Sequence, residues 1–168
     1  MSKLAIGQAA PLFCLPDLNG HKVGLEDFLD RTVLVNFWSA ECPHVERADE
    51  LLAGWQERIV LLNIASNASE PPELLRAAAV QRGLRWVLRD PDQQVADLYG
   101  AEITPQLFLI DAGGILRYQG AFDDVTFRRR APTRNYVAEA LEALLIGDPL
   151  PVEETAPYGC TIVRAWIE

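Results

Sequence analysis

At 168 residues with 49% apolar side chains, the chain can bury a sizeable core and reads as one domain spanning 1–168. A formal charge of -9 argues against nucleic acid or a membrane surface as a partner. Its three cysteines, Cys14, Cys42 and Cys160, are too few and too scattered for a disulfide scaffold or a zinc knuckle.

No run approaches the ~18 consecutive apolar residues of a membrane span. The first eight residues lack the apolar core of a signal peptide, ~7–15 residues long. The expectation is a cytoplasmic protein, in whose reducing surroundings a notable cysteine is catalytic or simply buried.

Residues 11–29 begin with two short apolar strands around Asn19-Gly20, a hairpin signal, and a helical turn follows over 25–29. Residues 32–38 are apolar on both faces apart from Asn36, as in the central strand of a sheet covered on both sides. Over 43–58, Val45, Ala48, Leu51, Leu52 and Trp55 recur at the spacing of an amphipathic helix. A second buried strand covers 59–65. Pro71-Pro72 opens a helix that runs to about 82 and closes at Gly83. A short strand over 85–88 and a short helix over 92–99, stopped by Gly100, come next. Residues 105–111 and 115–118 form a hairpin across Ala112-Gly113-Gly114. The last helix spans 133–146 with Thr133 as its cap, and 147–168 form a Pro- and Glu-rich tail ending in an apolar run over 161–167.

Strand–helix–strand–helix followed by a hairpin and a helix predicts an α/β fold, a central mixed sheet with helices on both faces. Right-handed crossovers leave few topologies for it. The stretch on which the others converge is Val35 to Val45. A buried strand stops at Trp38, a polar turn follows, and a helix begins with Cys42 and Pro43. The backbone N–H groups there lack intrahelical partners and the helix dipole favours negative charge. Proline suits the first helical position.

Four segments carry a family resemblance. They are Ala10-Pro11-Leu12-Phe13 with Leu15-Pro16-Asp17-Leu18-Asn19-Gly20; Val35-Asn36-Phe37-Trp38 through Cys42-Pro43; Asp97-Leu98-Tyr99-Gly100; and Ile103-Thr104-Pro105 through Phe108-Leu109-Ile110-Asp111 with Gly114. In this order they resemble the redoxin (AhpC/TSA) branch of the thioredoxin-like fold, which includes peroxiredoxins and membrane-tethered thiol-disulfide reductases. Gly159-Cys160-Thr161-Ile162 resembles the ending of a peroxiredoxin-like subgroup. The resemblance implies a thioredoxin-like domain with an N-terminal β-hairpin extension and a C-terminal tail, Cys42 as nucleophile, and a cis Thr104–Pro105 bond beside it.

The departures are specific. Val45 stands where dithiol enzymes carry a second cysteine, Val35 where peroxiredoxins carry proline, and Pro105 where they carry an arginine. Ser39 fits the peroxiredoxin hydroxyl position, and Asn36 replaces the buried aspartate of small thioredoxins. The membrane-tethered branch carries an N-terminal anchor, and none is expected for this chain.

The nucleophile is the thiolate. A free thiol ionises near pH ~8.5, and a helix N-terminus lowers such a value by at most about 1.5 units. His44 can add an N–H or a positive charge at the helix start, whereas Glu41 opposes by like-charge repulsion; the other reading of His44 is an exposed helix residue. Cys160 either resolves a mixed disulfide or a sulfenic acid on Cys42 or packs where the tail docks, with Ile162 and Trp166 as anchors. Cys14, between Phe13 and Leu15, is expected in the core. A cis Pro105 would present the Thr104 backbone for pairing with a substrate chain. Ser39 either bonds the Cys42 sulfur or caps the turn, and Trp38 either walls the site or fills core. Arg128-Arg129-Arg130 reads as a solvated loop, or as an attractor for an anion such as glutathione.

The candidate site is therefore Cys42, Cys160 and His44, with Pro43, Thr104, Pro105, Trp38 and Ser39 as substrate contacts, no metal and no cofactor. The expected activity is thiol-disulfide exchange or peroxide reduction, with thioredoxin or glutathione as reductant. The alternative is a redox-inactive binding or scaffold domain on the same fold.

Overall fold

The computed structural model describes residues 3–164. Strands β1 (Cys14–Pro16) and β2 (Lys22–Gly24) form the predicted antiparallel hairpin, with Leu15 opposite Val23, and a 3-10 turn follows at Leu25–Phe28. Side chains alternate along β1, so Phe13 and Leu15 point inward and Cys14 outward. The expectation that Cys14 lies in the core is thus corrected: it is exposed.

Next come β3 (Val33–Trp38), α1 (Pro43–Trp55), β4 (Val60–Ala65), α2 (Pro72–Arg82), β5 (Val87–Arg89) and α3 (Gln94–Tyr99). The chain continues with β6 (Ile103–Thr104), β7 (Gln106–Ile110), β8 (Leu116–Gly120), α4 (Tyr136–Ile146) and β9 (Cys160–Thr161). The central sheet has five strands in the order β5–β4–β3–β7–β8. Strand β3 runs parallel to β4 and antiparallel to β7, so the crossover helices and the hairpin each supply one side of the sheet.

All six residues of β3 are buried, and their alternation divides the core in two. Leu34 and Trp38 pack with Val45, Ala48 and Leu52 of α1, with Leu75 of α2 and with Leu141 of α4. Val33, Val35 and Phe37 face Tyr99 of α3, the N-terminal hairpin residues Leu15 and Val23, and Ile162 of the tail. Among the described residues no helix is long and apolar enough to cross a membrane.

Element boundaries differ from the sequence reading where a side chain found another partner. The α1 face is built from Val45, Ala48, Asp49 and Leu52, with Leu51 exposed. Turning about 100° per residue places Asp49, not Leu51, on the stripe that contains Val45 and Leu52. The cap of α4 is Asn135, whose side chain accepts from Ala138 N at 2.9 Å. Thr133 instead donates its amide to Asp124 Oδ1 at 2.8 Å, and the helix starts only after that loop contact. Strand β5 starts two residues later than expected and ends one later. Gly83 closes α2 with φ +67°, the left-handed conformation a C-terminal glycine supplies. Two short strands, β6 and β9, have no counterpart in the sequence reading.

Candidate active site

Cys42 occupies the N-cap of α1, with φ -81° and ψ 120°, and Pro43 follows in the first turn. The Cys42 carbonyl accepts from the Val45 and Glu46 amides at 3.1 Å each, so the helix begins at the cysteine itself. Its side chain makes no capping bond. Cys42 Sγ lies 3.3 Å from the Thr104 carbonyl oxygen and 2.6 Å from Cys160 Sγ. The residue is only 3% exposed.

Thr104–Pro105 is cis, as the resemblance implied. The Thr104 backbone, expected to be open to a substrate chain, is instead paired with this chain's own tail. Strands β6 and β9 run antiparallel with Thr104 opposite Cys160 and Ile103 opposite Thr161. Gly159 makes this approach possible, because a Cβ there would lie 2.0 Å from the Thr104 carbonyl oxygen. Beyond the pair, Ile162 is buried and donates its amide to Glu102 O at 2.9 Å. Its burial contributes roughly 1.5–3 kcal/mol to docking the tail. Trp166, the other anchor read from the sequence, lies outside the described residues. Burial, and then the adjoining Cys42 sulfur, push the Cys160 thiol up to about 12. Cys160 therefore keeps its proton at neutral pH.

His44 stands over the same crossing, its ring edge-on to Tyr158 at 5.3 Å. Its Nδ1 is 3.0 Å from Arg47 Nη1 and accepts that proton. Burial and the Arg47 charge lower its pKa, so the imidazole is neutral at neutral pH. The positive charge beside the helix start thus belongs to Arg47, not to His44. Two bonds to Asp123, at 3.2 and 3.1 Å, hold that guanidinium in place.

Ser39 and Trp38 serve the turn and the core rather than the sulfur. Ser39 Oγ donates to Glu70 Oε2 at 2.8 Å and accepts from the Glu41 amide at 3.2 Å, so it caps the turn. Trp38 is fully buried and donates Nε1–H to Asp49 Oδ2 at 2.8 Å. Asp49 also accepts from Arg82 Nη1 at 3.0 Å, and Arg82 Nη2 donates to Ala40 O at 2.7 Å. Burial pushes the Asp49 carboxyl up to about 6 against the opposing pull of Trp38 and Arg82. One buried acid behind this site therefore sits on α1. Asn36, at the strand position, is neutral and donates to Asn63 Oδ1 at 3.1 Å. Val45 is fully buried core.

Sequence reasoning missed Glu70, Asp49, Arg82 and Asn67. Only Asp49 left a signal, four residues after Val45 and seven after Cys42 on one helical face. Arg128, Arg129 and Arg130 lie on an exposed loop, where Arg129 meets Asp124 at 3.6 Å. None of them reaches the sulfurs.

A model of the AhpC/TSA family matches residues 6–119, ending before the tail that carries Cys160. The chain is 34% identical over 117 residues to the thiol-disulfide oxidoreductase ResA of Bacillus thuringiensis (strain Al Hakam), a stretch covering 67% of each chain. The crystal structure of a hypothetical protein from Sinorhizobium meliloti 1021 superposes with a TM-score of 0.86 at 30% identity, over 98% of this chain and 97% of that one. The thioredoxin domain of a thiol-disulfide oxidoreductase from Bacteroides vulgatus superposes with a TM-score of 0.61 at 25% identity, over 70% of this chain and 89% of that one. These likenesses bear out the redoxin resemblance and the thioredoxin-like fold.

Proposed function

The chain belongs to the AhpC/TSA family, and from that premise we propose that it is a thiol-disulfide oxidoreductase in which Cys42 attacks and Cys160 resolves. The observation that carries this reading is the 2.6 Å separation of two sulfurs 118 residues apart in the chain. Cys42 thiolate attacks one sulfur of a substrate disulfide, forms a mixed disulfide and expels the first substrate thiolate. Cys160 then gives up its proton and attacks Cys42 Sγ, expelling the second substrate thiolate and leaving a Cys42–Cys160 disulfide. Two substrate thiols are produced for two protein thiols oxidised. An external thiol, thioredoxin or glutathione, reverses the protein step. Cys160 does the work that a cysteine at position 45 would otherwise do.

A second substrate is favoured by the burial of Cys42 beneath the tail. A hydroperoxide needs far less room than a protein disulfide, and its reduction would leave Cys42 sulfenic acid and release water or an alcohol. Cys160 would then condense with the sulfenic acid, releasing water. Pro105 at the arginine position of peroxiredoxins weighs against this route. We place the protein in the cytoplasm, where a thiol pool supplies the reductant; fractionation of cells with a redox-trapped sample tests the location.

Mass spectrometry of wild type and Cys160→Ser, each after one equivalent of an aromatic disulfide or of hydrogen peroxide, tests the chemistry. Wild type is expected to end as the Cys42–Cys160 disulfide. Cys160→Ser is expected to stop at a mixed disulfide, or at sulfenic or higher acids, on Cys42. Cys42 unmodified by both oxidants would leave the scaffold reading standing instead.

A further inference from the structure

The turn that carries Cys42 and the tail that carries Cys160 are also joined away from the sulfurs. Glu70, between β4 and α2, is buried with both carboxylate oxygens engaged. One accepts from the Ala40 amide; the other accepts from the Ser39 hydroxyl and from Asn67 Nδ2. The Asn67 side chain faces both ways, because its carbonyl oxygen accepts from the Val163 amide at 2.8 Å, three residues beyond Cys160. The Val163 carbonyl accepts in turn from the Ala68 amide at 2.9 Å. A buried carboxylate is costly unless its oxygens are satisfied. Here the donors are the nucleophile's own turn and the side chain that grips the tail.

Resting on the Cys42–Cys160 couple above, we propose that Glu70 is a positioning residue for the redox pair. It fixes the turn at residues 39–42 through one set of bonds and the register of β9, through Asn67, by another. A single carboxylate is thereby the common reference for both sulfurs. The effective concentration of Cys160 towards Cys42 depends on that register, since intramolecular reactions lose orders of magnitude with small misplacements.

The test is the equilibrium in which the protein dithiol and one glutathione disulfide give the protein disulfide and two glutathione thiols, read by mass spectrometry after acid quenching. Asn67→Asp keeps the acceptor for Val163 but turns the donor to Glu70 into a second carboxylate, which breaks the bridge. Glu70→Gln breaks it from the other side. Each single variant is expected to lower the equilibrium constant about tenfold, the scale of one buried charge-assisted hydrogen bond. The double variant, Asn67→Asp with Glu70→Gln, restores donor to acceptor across the bridge and is expected to recover to within about threefold of wild type.

Single variants that lose thermal stability while keeping the wild-type equilibrium would show a merely structural role and overturn the proposal. If the single variants do not fold, hydrogen exchange on wild type decides: the Ala40 and Val163 amides should gain protection together when the disulfide forms, and independent behaviour overturns the coupling. A wild type that forms no Cys42–Cys160 disulfide at any glutathione ratio would instead remove the redox couple itself.

Discussion

Gly159→Ala addresses the contact that brings the two sulfurs together. The new Cβ would lie 2.0 Å from the Thr104 carbonyl oxygen, 2.8 Å from its carbon and 3.1 Å from Pro105 Cδ. All three atoms belong to backbone or to a proline ring, so none can swing aside, and the crossing at 158–160 must lift instead. The distal tail stays anchored through buried Ile162 and through Arg164, which bonds Asp97 at 2.8 Å and the Ala101 carbonyl at 3.0 Å. Overpacking of this kind costs about 1–3 kcal/mol. Charged entirely to the docked register, that is roughly a 5- to 140-fold loss in the Cys42–Cys160 disulfide equilibrium. Exposure of Cys42 should rise at the same time, so its reaction with a bulky aromatic disulfide should accelerate. Glutathione titration and stopped-flow absorbance measure the two effects. A variant with the wild-type equilibrium and the wild-type rate would refute the idea that β9 both covers Cys42 and delivers Cys160 to it.

Two further predictions concern groups outside the sulfur pair. Folding raises the Asp49 pKa from 3.8 to about 6, so between these values the folded state holds the extra proton and stability falls as pH rises. Relative to Asp49→Asn, wild type should therefore lose about 2 kcal/mol between pH 4 and pH 7, since the side chain is 1% exposed and little screened. Urea unfolding of both proteins at the two pH values checks this, and a difference that is flat or rises with pH contradicts it. Asn135→Ala should cost about 1 kcal/mol through loss of the α4 cap, and Thr133→Ala less. Thermal unfolding that reverses this ranking would return the helix start to position 133.

The features legible along the chain are those set by neighbours within about ten residues. The apolar run ending at Trp38, the proline after Cys42, the glycines closing α2 and α3, and the spacing along α1 are legible because strand period, helix period and cap chemistry are local. They place a cysteine at a helix N-cap at the end of a central strand, and that placement holds. The side on which a residue lies was less legible when the pattern allowed two answers. Cys14 between Phe13 and Leu15 fits an apolar core run, yet a strand with one face on the sheet must turn every second residue outward.

The chemistry around that cysteine is set by tertiary packing. No period or cap connects Cys160 to Cys42; their meeting depends on an antiparallel register between two-residue strands and on a glycine that admits the approach. The charge states followed from packing as well. The sequence leaves His44 as an N–H donor, a cation or an exposed helix residue, but it is neutral once half-buried against Tyr158 and Arg47, and Glu70 is buried because the turn at 39–40 and Asn67 supply its donors. Burial and partner identity are properties of the closed chain. A sequence can place a nucleophile, but the groups that tune and complete it are chosen when distant segments close over it.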